Sequence, residues 1–208
     1  MEDKLKSKGI LIVFEGMDQS GKGTQSRLFV KKLRELGYKA EYMHFHDVDT
    51  PLGKEIQLFL EGRRNFSPQV RQLLYAANRY EKAESILNIL EQSDFLVVDR
   101  YIPSGLAYGL ANDLELNWML ELESKLPQPD LVVLIDISSQ TSSTRKHEER
   151  RDVYERDYSF LDKVKQSYLY LADKYNYIVV NGEKESKHVH KEIWEKVWSR
   201  IEHNNINE

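Results

Sequence analysis

The chain reads as an α/β fold: a five-stranded parallel sheet with helices on both faces, built as a single domain over residues 1–208. Three observations predict it. Short apolar runs alternate with helical patterns along the whole length, the order that right-handed crossovers between parallel strands require. The first and third runs, ILIVF and FLVV, are continuously apolar, as strands covered on both faces are. Charged residues follow both runs directly, at the end of a parallel sheet where ligands gather.

Ile10 to Phe14 is the first strand. Lys22 to about Leu36 is a helix, with Leu28, Phe29, Leu33 and Leu36 at helical spacing and Gly37 as its stop. Ala40 to Phe45 is the second strand. Thr50-Pro51 and Ser67-Pro68 each set a hydroxyl cap before a proline at the first helical position. The first pair opens a short helix that ends near Gly62. The second opens a long amphipathic helix to about Glu91, with Val70, Leu73, Leu74, Ala77, Ile86, Leu87 and Leu90 on its apolar stripe and Arg71, Asn78 and Arg79 on its polar face. Phe95 to Val98 is the third strand and runs into Asp99-Arg100-Tyr101. A helical region from about Asn112 to Leu126 precedes the fourth strand, Leu131 to Ile137, which Pro127 and Pro129 introduce. The charge-dense stretch from Thr144 to Asp157 reads as an exposed helical lid rather than core. A helix from Phe160 to Lys174, a fifth strand from Tyr177 to Val180 and a last helix from about Ser186 to Ile201 complete the order. Ile193, Trp194, Val197, Trp198 and Ile201 share one face of that last helix, which assigns the tryptophans to the core.

With 208 residues, 40% of them apolar and 31% charged, the chain can bury a proper core without internal repeats or linkers. Its formal charge of −4 argues against broad nucleic-acid or membrane binding, so an anionic ligand must be held by local Arg and Lys. The first eight residues, MEDKLKSK, lack an apolar core, and no stretch approaches the roughly 18 apolar residues that span a bilayer. The absence of cysteine excludes a disulfide framework and a thiolate zinc site. The expected setting is cytoplasmic.

The stretch from Ile10 to Gln25, ILIVFEGMDQSGKGTQ, carries the chemistry. Strand, glycine-rich turn, lysine and helix coincide, so loop amides from Gly16, Met17, Asp18, Gln19, Ser20, Gly21, Lys22, Gly23 and Thr24 can curl around a phosphate at the positive end of a helix. Lys22 is a mobile point charge for the outer phosphates of a nucleotide. The template G-x4-G-K-[ST] is met at Gly16, Gly21 and Lys22, but Gly23 stands where the hydroxyl is asked for, and Thr24 follows one place later. A phosphate loop plus a strand ending in Asp-Arg suggests phosphoryl transfer.

Five segments carry a resemblance to the thymidylate kinase family: FEGMDQSGKGTQ at 14–25, LLYAANRYE at 73–81, DRYIPSGLAY at 99–108, LPQPDLVVLIDI at 126–137 and VYE at 153–155. The resemblance implies a P-loop nucleotide kinase fold with a short mobile lid at about 144–157, and conversion of dTMP to dTDP with ATP and Mg²⁺. It implies that Lys22 and the loop amides hold ATP, and that Thr24 and Asp99 stand near the metal. Asp18 would reach the acceptor's sugar, and Arg100 would grip its phosphate by a bidentate fork. Arg79 would donate to the thymine carbonyl, where the amino group of cytosine meets it donor to donor. Tyr75 would stack on the base, Phe45 would line the pocket, and Tyr108 and Tyr154 would flank the sugar. A homodimer is implied as well.

Three departures leave alternatives open. The family's Phe-Pro-x-Arg after the second strand is Phe45-His46-Asp47-Val48 here, and one lost charged contact weakens acceptor binding by about 1.5–3 kcal/mol unless His46 or another base replaces it. Gln19 occupies the loop place that carries Arg in some members, so the missing cation is expected from the lid, with Arg145, Arg150 and Arg151 as candidates; Arg145 also resembles the base that lies against adenine. Gly23 matches adenylate kinases. A relaxed-specificity kinase of dUMP, UMP or AMP is therefore the alternative enzyme, and a catalytically silent nucleotide-binding protein the alternative outside catalysis.

Overall fold

In the computed structural model of the chain, residues 9–145, 153–154 and 157–205 are described. The strands are β1 (Ile10–Glu15), β2 (Ala40–His44), β3 (Phe95–Asp99), β4 (Leu131–Asp136) and β5 (Ile178–Asn181). All pair in parallel, in the order β2-β3-β1-β4-β5. The helices are α1 (Lys22–Glu35), α2 (Pro51–Leu60), α3 (Pro68–Tyr80), α4 (Ala83–Gln92), α5 (Ile102–Ala111), α6 (Leu116–Glu123), α7 (Ser139–Thr144), α8 (Tyr158–Lys174) and α9 (Ser186–Asn205).

Successive side chains of a strand point to opposite faces, and two cores result. Leu11 and Val13 of β1, Leu96 and Val98 of β3, and Val132 and Leu134 of β4 join Ile86, Leu106, Met119 and Val164 from α4, α5, α6 and α8. Ile12, Phe14, Val97, Val133 and Ile135 face α1 and α9, through Phe29, Leu33, Ile193 and Val197. Trp194 and Trp198 are half-buried and stacked on each other at 5.2 Å, and both pack against this second core. The register pairs Asp99 with both Phe14 and His44, so β1, β2 and β3 end level. The phosphate-loop turn, Phe45 and Arg100 thus emerge from one edge.

Both expected caps form. Thr50 Oγ1 accepts from the Gly53 amide at 3.0 Å, and Ser67 Oγ accepts from the Val70 amide at 3.4 Å. The long helix expected from Pro68 to about Glu91 is instead two helices broken at Glu81-Lys82. No breaker stands there in the sequence. Lys82 Nζ reaches Asp47 Oδ2 at 2.7 Å, and Asn78 is buried against Thr50 and the backbone of Asp47, so tertiary bonds to the loop after β2 hold the bend. The helical region expected from about Asn112 begins ten residues earlier as α5, turns at Asn112–Glu115, and resumes as α6. Gly105 and Gly109 lower the intrinsic helix preference of α5, and close packing against α3 and α6 makes their small size useful. Within the stretch read as an exposed lid, Tyr154 is buried, with its ring stacked on Phe160 at 5.2 Å.

Candidate active site

The turn after β1 wraps toward the N-terminus of α1, and Gln19 (φ 63°) and Gly21 (φ 93°) both take left-handed backbone there. Lys22 is buried; its Nζ donates to the Met17 carbonyl at 3.2 Å and lies 3.4 Å from Asp18 Oδ1. Burial, then the nearby Arg100, pushes the Lys22 pKa down, against the pull of Asp18 and Asp99. Helix α7 is tied to the same turn: Ser142 Oγ donates to the Asp18 carbonyl at 2.7 Å. Arg145, just past α7, donates to the carbonyls of Gln19 at 3.1 Å and Gly182 at 3.3 Å.

Arg100 follows β3 directly with φ 64°, and that left-handed step turns its side chain across the loop. Its Nη2 donates to Asp18 Oδ1 at 2.6 Å, and its Nη1 donates to Ser104 Oγ at 3.0 Å and Tyr168 Oη at 3.3 Å. Burial opposes its charge most strongly, but Asp18, Tyr108, Tyr168 and Glu15 together outweigh it and hold the Arg100 pKa well above its ordinary value. Beneath it lies Glu15, fully buried, which accepts from the amides of Tyr101 (2.8 Å) and Ser104 (3.1 Å), from Ser104 Oγ (2.6 Å) and from Tyr168 Oη (3.0 Å). Glu15 and Arg100 thus share Ser104 and Tyr168. Burial raises the Glu15 pKa above 4.5, with Arg100 opposing. A carboxyl whose folded pKa is raised binds its proton more tightly in the folded state. The stability it contributes is complete below its unfolded value and is lost as pH rises through the folded value. Glu15→Gln is therefore expected to be less sensitive than wild type to raising the pH above about 4.5. Urea unfolding of both proteins across that range checks it, and parallel curves contradict it.

Asp99 stands between the loop and β2. Its Oδ1 is buried and has no hydrogen-bond partner among the described residues, while its Oδ2 accepts from Tyr42 Oη at 3.5 Å. A Cβ on Gly23 would lie 2.8 Å from Asp99 Oδ2. The carboxylate occupies the space that a serine or threonine at 23 would enter, which accounts for the glycine. Thr24 is exposed.

A cavity of about 340 Å³ opens beside this cluster between α3 and α5, with Asp18 and Arg100 in its lining. Phe45, Tyr75, Arg79, Tyr108 and Tyr154 line it, so the structure brings the acceptor-side residues of the sequence reading to one place. Tyr108 and Tyr154 meet edge to face at 5.1 Å, and Tyr108 Oη donates to Asp18 Oδ2 at 3.3 Å. Arg79 is buried and forked onto Glu123 of α6, through Nε to Oε2 at 3.1 Å and Nη2 to Oε1. His46 and Val48 also line the cavity. His46 Nε2 pairs with Gln57 Oε1 at 3.1 Å, and burial, with Arg100 nearby, lowers its pKa. That shift disfavours the charged imidazole that would stand in for the arginine absent at Val48.

Residues 14–193 match the family described as thymidylate kinase. The chain belongs to the thymidylate kinase family. It is 34% identical over 170 residues to a thymidylate kinase of Dictyostelium discoideum (80% of this chain, 75% of that one). It is 34% identical over 202 residues to one of Arabidopsis thaliana (96% and 75%), and 37% identical over 140 residues to one of Schizosaccharomyces pombe (67% of each). The solved thymidylate kinase of Candida albicans, described with a broad substrate specificity, superposes with a TM-score of 0.82 at 32% identity over 94% of each chain.

Within this thymidylate kinase family site, sequence reasoning passed over Glu15 and Glu123. Each leaves a local signal: Glu15 ends a wholly apolar strand, and Glu123 falls four residues after buried Met119, on the apolar face of its helix. An acid on a buried stripe asks for a partner. Arg71 was also passed over; its Nη1 donates to Tyr154 Oη at 3.2 Å and its Nη2 to Asn112 Oδ1 at 2.9 Å. Arg150 and Arg151 lie outside the described residues.

Proposed function

We propose that the chain transfers the γ-phosphoryl group of ATP to the phosphate of dTMP, giving dTDP and ADP. The observation that carries the reading is that Lys22 and Arg100 converge on one carboxylate oxygen, Asp18 Oδ1. A donor-phosphate cation and an acceptor-phosphate cation then face each other where two phosphates must meet in line. Catalysis by positioning and charge stabilisation asks for little more from the protein. Glu15, through Ser104 and Tyr168, keeps the Arg100 fork in place; Arg79, held by Glu123, offers N–H groups to a ring carbonyl; Tyr75 stacks on the base; Tyr108 and Tyr154 wall the sugar. Asp99 suits a divalent cation, because its buried Oδ1 has an oxygen lone pair to give and no partner among the described residues. Thr24 stands one residue from the loop glycine beside it. Asp99 would hold Mg²⁺ there, and the ion would supply neutralisation of charge on the donor phosphates. Arg145 already spans the loop and the Gly182 carbonyl, in keeping with a lid over ATP at 144–157, to which Arg150 and Arg151 belong.

Product formation from Mg-ATP with dTMP, dUMP, UMP, dCMP, AMP and GMP offered separately tests the reading. The expected result is a clear lead for dTMP with dUMP second. A lead for AMP or UMP overturns the acceptor assignment.

The homodimer belongs to the same reading. Val70, Leu73 and Tyr80 recur at three- and seven-residue spacing on α3 with 40%, 47% and 40% exposure, an apolar stripe on a different face from the cavity-lining Gln72 and Arg79. A second copy across this stripe covers it. Leu73→Asp is expected to give monomers in sedimentation velocity where wild type gives dimers; dimeric Leu73→Asp moves the interface elsewhere. Among the described residues no helix is long and apolar enough to cross a membrane, and a cysteine-free chain suits the cytoplasm.

A further inference from the structure

The inner wall of the cavity contains a polar side chain that the roles above leave unused. Gln72 of α3 is 3% exposed and lies along α5. A Cβ on Gly105 would stand 3.2 Å from Gln72 Nε2 and 2.7 Å from Arg79 Nη2, and a Cβ on Gly109 would stand 3.2 Å from Gln72 Oε1. Two glycines one helical turn apart therefore leave a flat slot, and the carboxamide fills it edge on. Nε2 has no hydrogen-bond acceptor among the described residues, although it is buried. An amide donor left so costs folding free energy, and such groups mark positions completed by something else. Here the something else has a definite shape. Nε2 and Arg79 Nη2 both pack against Gly105 in the cavity wall, so the two donors stand close enough to serve one carbonyl oxygen. Oε1 belongs to the same carboxamide, and a donor and an acceptor side by side suit a carbonyl and the ring N–H next to it. Glu123 takes Arg79 Nε and Nη2 from the other side and so fixes the guanidinium as a donor toward the cavity.

We propose that Gln72 is a specificity-determining residue of the acceptor site: its carboxamide reads the imide edge of the pyrimidine, giving Nε2–H to the ring carbonyl beside Arg79 and accepting the ring N3–H at Oε1. The proposal rests on the reading of this cavity as the dTMP site. A base with a carbonyl next to a ring N–H, thymine or uracil, satisfies both atoms. Cytosine offers an amino group and a bare ring nitrogen at that edge and leaves donor facing donor at Arg79.

The test compares wild type with Gln72→Met, which keeps length and volume, and Gln72→Glu, which keeps shape and removes the donor. Initial rates are measured with dTMP, dCMP and 3-methyl-dTMP, whose ring nitrogen carries no proton. Wild type is expected to prefer dTMP to 3-methyl-dTMP by about 100-fold in kcat/KM. Gln72→Met is expected to lose about 30-fold with dTMP and almost nothing with 3-methyl-dTMP, so that the ratio collapses, with the loss mainly in KM. Gln72→Glu is expected to raise the rate with dCMP relative to dTMP. A structural lesion lowers all three substrates together and moves neither ratio. Unchanged ratios in both variants overturn the proposal while leaving dTMP kinase activity intact. Wild type inactive on dTMP overturns the underlying reading instead. If Gln72→Met fails to fold, Gln72→Glu decides on the same ratios.

Discussion

Replacing Lys22 by Met is expected to lower turnover with ATP and dTMP by about a thousand-fold while leaving the fold intact. Lys22 is the one basic side chain within the turn after β1, and its Nζ is held by only a carbonyl at 3.2 Å and Asp18 at 3.4 Å. Those are contacts that an arriving phosphate can replace. Burial already lowers its pKa, so the folded protein bears a cost for the charge that a methionine of similar length removes. The thermal midpoint is therefore expected to hold or rise as activity falls. Steady-state rates beside calorimetry check this, and a Met variant retaining more than a tenth of wild-type kcat removes Lys22 from the transfer step.

Glu123→Ala is expected to be the most damaging change to stability. Arg79 and Glu123 are 2% and 1% exposed, and taking one carboxylate away strands a guanidinium in the interior. Breaking a buried pair from one side costs about 3–5 kcal/mol, which in a chain of this size lowers the midpoint by about 10 °C. The double replacement Arg79→Met with Glu123→Leu is expected to be more stable than Glu123→Ala, because both charges go together. Both variants should lose the preference for dTMP, since each disturbs the donor at the base. Urea titrations of the two variants and wild type give the comparison. A loss below about 1 kcal/mol in Glu123→Ala shows that water reaches Arg79 and that the pair is not a buried one.

The sheet was legible because its information is local. Continuous apolar runs, proline-marked caps at Thr50 and Ser67 and the glycine after α1 each act within a few residues. The bend at Glu81-Lys82 was not legible, since its cause is an ion pair with Asp47, 35 positions away in the chain. Helix α5 was hidden by glycines whose value appears only once Gln72, Arg79 and Met119 pack on them. The same contrast runs through the site. Lys22, Asp99 and Arg100 stand in short motifs whose spacing carries their chemistry. Glu15 precedes the first glycine of the phosphate-loop template and Glu123 lies outside every quoted segment, and their partners Tyr168 and Arg79 lie 153 and 44 residues away.

The closeness of Gly23 to Asp99 also constrains the history open to this chain. A serine or threonine at 23 makes Asp99 Oδ2, which stands 2.8 Å from the incoming Cβ, turn aside. The two positions are coupled, so the order of substitutions matters: how freely the Asp99 carboxylate swings away sets what a hydroxyl at 23 costs.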